Sequence, residues 1–199
     1  MKPTRSILIW LVLLAAIAVP LGLALQSPLL AWRQPIYIAA GIAGVLAMGL
    51  LLLQPLLASG RLPGLPGGAG RQVHRWIGAG LIFAVIVHVI ALWITSPPDV
   101  VDALLYRSPT PFSAWGVTAM WAVFAAGFLA LVRSRLRPRT WRTAHGALVS
   151  LAVITCVLHA LLIEGTMEPV SKALLCALVV IATGWTVWQL RLFWPRTRR

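Results

Sequence analysis

HRWIGAGLIFAVIVH, residues 74–88, and HGALVSLAVITCVLH, residues 145–159, set the architecture of this chain. Each begins and ends on histidine, each is mostly apolar between, and together they hold all 4 histidines of the chain. The shared spacing is H-x13-H. Fourteen residues of α-helix advance about 21 Å and turn about 1400°, about 40° short of four full turns, so histidines at this spacing share one helix face. One such helix carries an imidazole toward each side of a hydrocarbon layer about 30 Å thick.

The rest of the chain fits a membrane setting. Of 199 residues, 60% are hydrophobic and 11% charged, and the charge-poor runs are long enough to span a bilayer, which excludes a soluble domain. Six spans are expected, at about 7–25, 36–57, 73–94, 113–132, 143–163 and 173–193, each close to the usual ~20 residues. The expected fold is an all-α, six-transmembrane-helix bundle formed as one domain over residues 1–199, without a soluble extension. The first span follows Lys2 and Arg5 as a signal peptide would. It is longer than a usual signal core and lacks a convincing cleavage site, so it is read as an anchor.

A net charge of +13 raises nucleic acid as a partner, but the charges are sorted by loop. Alternate connections carry Lys2, Arg5, Arg61, Arg71, Arg75, Arg133, Arg135, Arg137, Arg139, Arg142, Arg191, Arg196, Arg198 and Arg199 on one side. The other side carries Arg33, Arg107 and Lys172, with the acidic residues Asp99, Asp102, Glu164 and Glu168. This is the positive-inside pattern with both termini cytoplasmic, and it points to membrane lipid and topology in place of DNA or RNA.

The inner connection 60–70 is rich in glycine and proline and is read as a flexible connector without helix. Its glycines lack the preceding strand of a dinucleotide loop. On the outer side, Pro97 and Pro98 stop the third span, and 99–106 is expected as a short interfacial helix ended by Pro109 and Pro111. Trp32, Trp76, Trp93, Trp115, Trp141 and Trp194 fall near span ends and are read as an aromatic belt without a cofactor role. Cys156 and Cys176 lie within spans and are read as buried small hydrophobes, with thiol chemistry or a disulfide as the lesser alternative.

Neutral imidazole ligates metals and heme iron, and ionisable groups within a bilayer usually serve function. Interhelical hydrogen bonding is the plain alternative for any one membrane histidine. Four histidines in two identical spacings, on the third and fifth spans only, favour heme ligation. Those spans run parallel, which pairs His74 with His145 around an inner iron and His88 with His159 around an outer one. Gly78 and Gly146 are read as relieving bulk at a macrocycle edge, or as serving helix packing alone. Arg71, Arg75 and Arg142 are placed to pair with propionates, a role that surface arginines do not require. A zinc or di-iron site is disfavoured, because no carboxylate accompanies the histidines.

The pattern His74-Arg75-x-x-Gly78 followed by His88, then Trp141-Arg142-x-x-His145 followed by His159, within six spans, resembles the ferric-reductase-like transmembrane domain family. That family includes NADPH oxidases, iron reductases and the small bacterial heme subunit of the periplasmic methionine-sulfoxide reductase system. The resemblance covers about residues 36–193. Respiratory cytochrome b has similar histidine spacing, but on its second and fourth spans. The resemblance implies two heme b groups held by His74, His88, His145 and His159, electrons moving from a cytoplasmic donor to the outer heme, and placement in a bacterial plasma membrane. Where the oxidases and reductases continue into a flavin and nicotinamide domain, the sequence after His159 is taken up by one more span and a basic tail. The expected donor is a separate flavoprotein, a membrane quinol, or FMN or FAD bound at the helices. The small heme subunits resemble this chain in size but often lack a ligand at the position of His74.

Three functions follow from these observations in descending order. The first is a heme b electron-transfer subunit serving an acceptor at the outer face, whether a partner reductase, ferric iron or oxygen. Next comes a self-contained ferric-chelate reductase. A heme-free scaffold or assembly factor is third.

Overall fold

The computed structural model describes residues 3–192, and Lys2, Trp194, Arg196, Arg198, Arg199 and the end of the sixth span lie outside the described residues. Seven helices follow in order: α1 Pro3–Leu25, α2 Pro35–Ala58, α3 Gly67–Thr95, the short α4 Pro97–Leu104, α5 Pro111–Leu131, α6 Pro138–Leu162 and α7 Pro169–Leu192. All but α4 are long and apolar enough to cross a bilayer. From α2 onward every helix except α3 starts on proline, whose missing N–H costs nothing at that position. The third and fifth spans of the sequence are α3 and α6.

In lipid, burying Leu against Leu gains little, so close packing rests on small residues. α2 is the most enclosed span, and Ala40, Ala43, Ala47 and Gly49 are buried along it. α5 repeats the device with buried Ala119, Ala122 and Ala126. The consequence is two tight antiparallel hairpins, α2 with α3 and α5 with α6, whose two later helices stay largely apart. α7 joins the hairpins by packing on both α2 and α6, and α1 lies against α2 and α7. Leu175 and Val179 of α7 are fully buried there, with Met48, Leu51 and Leu52 of α2.

Alternating helix directions separate the charges onto two faces. A basic face holds Arg61, Arg71, Arg75 and the 133–142 arginines, and an acidic face holds Asp99, Asp102, Glu164 and Glu168. On the acidic face Glu168 caps α7, accepting hydrogen bonds from the backbone N–H groups of Val170 at 2.8 Å and Ser171 at 2.6 Å. The Ser171 and Val170 N–H groups hold its carboxyl below the ordinary carboxylate range.

Two expectations are corrected. Residues 67–70 are not part of a loop: α3 begins at Gly67, extending the third span toward the basic face. Gly70 is buried there, where a Cβ would stand 2.7 Å from the Leu65 carbonyl oxygen and 3.2 Å from that of Leu57, so glycine allows the close approach of backbone that starts the helix. The outer helix is also shifted. It starts at Pro97 and ends at Leu104, and Pro109 and Pro111 do not end it. Its end is made by Tyr106 in the left-handed region (φ 57°), which turns the Arg107 and Ser108 N–H groups back onto the Asp102 carbonyl.

Replacing Gly70 by Ala sets a methyl against backbone oxygens that cannot move aside. The expected cost is about 1–3 kcal/mol, seen as a lower thermal midpoint in detergent. Gly68→Ala, which meets open space, is expected to leave the midpoint unchanged or raise it by about 0.5–1 kcal/mol.

Candidate functional site: four histidines between two hairpins

His74 and His88 project from α3, His145 and His159 from α6. The His74 and His145 rings come together at 6.5 Å between centroids, with planes at 73°. His88 and His159 lie within electrostatic range of each other at the other level of the bundle. The structure thus brings the His74 and His145 rings together, and His88 and His159 stand one step of the shared spacing further along the same two helices.

Each ring is backed by a carbonyl on the other helix of its own hairpin. His74 Nδ1 donates to the Gln54 carbonyl at 3.1 Å, and His88 Nδ1 to that of Ala40 at 2.7 Å. In the second hairpin His159 Nδ1 donates to the Phe112 carbonyl at 2.9 Å. A carbonyl can only accept, so these contacts place the proton on Nδ1 and leave the Nε2 lone pair free. His145 is the exception: its Nδ1 is buried and faces the Ala126 carbonyl without a hydrogen bond of ordinary geometry. The four carbonyls repeat the histidine spacing, since Ala40 to Gln54 and Phe112 to Ala126 are the same step along the chain as His74 to His88.

Several residues around the histidines receive no site role from the sequence. Trp141, read as part of the aromatic belt and of the Trp141-Arg142-x-x-His145 pattern without a cofactor role, stacks on His145 at 4.6 Å between centroids and 25° between planes. Phe112 meets the His159 ring edge-on at 5.9 Å. Buried Gln54 turns its amide to the His74 carbonyl at 3.4 Å, so α2 meets His74 through both its backbone and its side chain. Gly78 faces this amide, at 3.7 Å from where its Cβ would be, which places it against α2 and favours its reading as a packing residue. Gly146 borders open space. Arg71, Arg75 and Arg142 are exposed on the basic face near the start of α3 and α6. A cavity of about 270 Å³ lined by Arg133, Leu136, Pro138, Trp141 and Arg142 lies beside the His145 end of α6.

Two imidazoles facing through Nε2 are the donor set of a six-coordinate heme iron. The arrangement fits such a group: metal–imidazole bonds of about 2.0 Å, taken with the size of the rings, set the centroids of two ligands about 6 Å apart. No group of three or more histidine, cysteine, aspartate or glutamate side chains placed to hold a metal ion occurs among the described residues.

Residues 41–156 match the model of the family described as ferric reductase like transmembrane component. The chain belongs to this family. The match is narrower than the 36–193 expected, and it contains His74, His88 and His145 while His159 falls just beyond it. No curated protein and no solved structure matches the chain. Membership with six apolar helices makes this an integral, multi-pass membrane protein, and the family's transmembrane component points to membrane electron transfer.

Cys156 and Cys176 are both free, and the Cys156 thiol donates to Met48 Sδ at 3.2 Å. In intact membranes both are expected to resist a water-soluble maleimide, and after denaturation in SDS without reductant two thiols per chain should react. A count of zero in SDS would show the disulfide.

Proposed function

We propose that this protein is a transmembrane heme b electron-transfer protein, taking electrons at its cytoplasmic face and delivering them to an acceptor at the outer face. The observation that supports it is the set of four histidines on α3 and α6, with the His74 and His145 rings 6.5 Å apart and three of the four anchored through Nδ1 with Nε2 left free. His74 and His145 would hold the inner heme, His88 and His159 the outer one. When bound, heme b supplies a reversible one-electron couple.

The chain's own residues do the positioning. α2 and α5 fix the imidazole tautomers and raise their basicity as ligands. Trp141 limits rotation of His145, the one imidazole whose Nδ1 makes no hydrogen bond of ordinary geometry. By the positive-inside rule the basic face is cytoplasmic, which puts the His74/His145 pair nearer the donor. Arg133 and Arg142 flank the cavity beside that pair, a docking place suited to an acidic flavoprotein or to the phosphate of FMN or FAD. A membrane quinol is the other donor class. Among acceptors, the description of the matched family favours ferric iron, and a partner reductase at the outer face is the alternative.

Purified protein is expected to be low-spin and to carry about two heme b per chain, measured by absorption and pyridine hemochrome. His74→Ala and His145→Ala should remove one spectral component, His88→Ala and His159→Ala the other. A parent count near zero refutes the heme reading, and a crossed pattern of losses refutes the pairing.

Arg133→Gln combined with Arg135→Gln should slow heme reduction by a cytoplasmic flavoprotein or free reduced flavin while heme content stays constant. Added salt should slow the unmodified protein similarly, since the attraction is screened over about 8 Å at physiological ionic strength. Rates that ignore both changes would assign these arginines to topology and favour a quinol donor.

A further inference from the structure

The two outer histidines share a feature that the inner two lack. A Cβ on Gly44 would lie 3.1 Å from His88 Nδ1, and one on Gly116 would lie 2.6 Å from His159 Nδ1. Gly44 stands one helical turn after Ala40, and Gly116 one turn after Phe112, the residues whose carbonyls receive those same nitrogens. Helix geometry explains the offset. Side chains tilt toward the helix N-terminus, so the side chain of residue i+4 lies over the carbonyl of residue i on the same face. Glycine at that position uncovers the second lone pair of a carbonyl already engaged in the helix and lets an imidazole N–H reach it from the side.

The inner pair supplies the contrast. At the same offset from Gln54 and Ala126 stand Ala58 and Ala130. The hydrogen bonds there are longer or missing: 3.1 Å for His74, and none of ordinary geometry for His145, against 2.7 and 2.9 Å for the outer histidines. One glycine in each hairpin, at the same register to carbonyl and histidine, is a matched device. Gly41, a turn earlier on α2, meets only Thr166 at 3.5 Å, and no histidine.

We propose that Gly44 and Gly116 are positioning residues for the outer ligand pair, opening the Ala40 and Phe112 carbonyls so that His88 and His159 are fixed through Nδ1 with Nε2 directed at the outer iron. This rests on the heme reading above. An imidazole that donates through Nδ1 is a more basic ligand, and losing such a partner typically weakens metal retention about 10- to 100-fold. The outer heme is therefore set by both hairpins to be the more firmly ligated of the two.

The test uses the full-length protein in detergent, with Gly44→Ala, Gly116→Ala and the control Gly184→Ala on α7, whose added methyl meets nothing within 4 Å. Heme content, redox titration and low-temperature electron paramagnetic resonance are read for each component. Both variants should raise the potential and change the g-values of the outer component, or lower its retention about 10- to 100-fold, while the inner component and the control stay as in the parent. Gly116→Ala makes the tighter contact, so if it does not fold, Gly44→Ala, with its longer approach of 3.1 Å, decides the matter. A parent without heme refutes the heme reading itself. A two-heme parent whose Gly44→Ala variant keeps the outer potential, g-values and heme content refutes the positioning role alone, as does a Gly44→Ala variant that loses both components equally.

Discussion

The hydrogen bond from a histidine Nδ1–H to a backbone carbonyl on the neighbouring helix is the constraint around which this molecule is arranged. Imidazole can serve as a ligand only if one nitrogen keeps a lone pair and the ring is aimed. Within a bilayer no water supplies the second partner, so the protein must find it in a helix whose carbonyls are already engaged. That requires helix axes close enough for a side chain to reach main chain. Small residues along α2 and α5 follow from this demand: Ala40, Ala43 and Ala47 in one hairpin, Ala119, Ala122 and Ala126 in the other.

The two hairpins solve the same problem with the same register. In each, the carbonyls on the first helix are spaced as the histidines on the second are, and a glycine stands one turn after the carbonyl at the acidic-face level. Antiparallel packing makes the match possible, because equal steps along two opposed helices keep two contacts in register. Within a hairpin the helices are pressed together; between hairpins α3 and α6 are held apart, with their histidines as the nearest chemistry. α7 bridges the pairs through α2 and α6, so its buried Leu175 and Val179 contribute to the width of the space in which the histidines meet.

Much of this can be read from the sequence, and the remainder fails for a physical reason. The six spans follow from hydropathy and length, and the pairing of His74 with His145 follows from two parallel helices with one spacing. The carbonyl partners could not be read, because every residue has the same main chain and only packing decides which carbonyl is reached. Gly44 and Gly116 left a trace as small residues on the second and fourth spans, but glycine in a membrane helix usually reports packing, and the ring behind it is visible only in three dimensions. Trp141 stands in the sequence pattern before His145, yet a tryptophan at a span end suits the interface equally well, and only the stack on His145 shows its contact with the site. Gly67 to Gly70 misled through propensity, which tertiary contact overrides when Gly70 is seated against the Leu57 and Leu65 carbonyls.

The unequal treatment of the four histidines bears on direction. A ligand whose Nδ1–H is well bonded gives more charge to the metal and favours its oxidised state, whereas a ligand without that bond favours the reduced state. His145 lacks the bond and is braced by an aromatic face instead, and His74 has the longest of the three bonds. In the heme protein proposed above, ligand basicity alone would make the iron at the basic face the easier to reduce and the one at the acidic face the harder. Electrons moving outward would then travel against this term, so the drive must come from another source. The inside-negative potential across the membrane is one, worth about 2.3 kcal/mol per charge per 100 mV, and it pushes electrons outward. In that reading the ligand term alone favours the electron on the donor side, the membrane field opposes it, and the balance of the two sets how far the electron rests toward the outer face before an acceptor removes it.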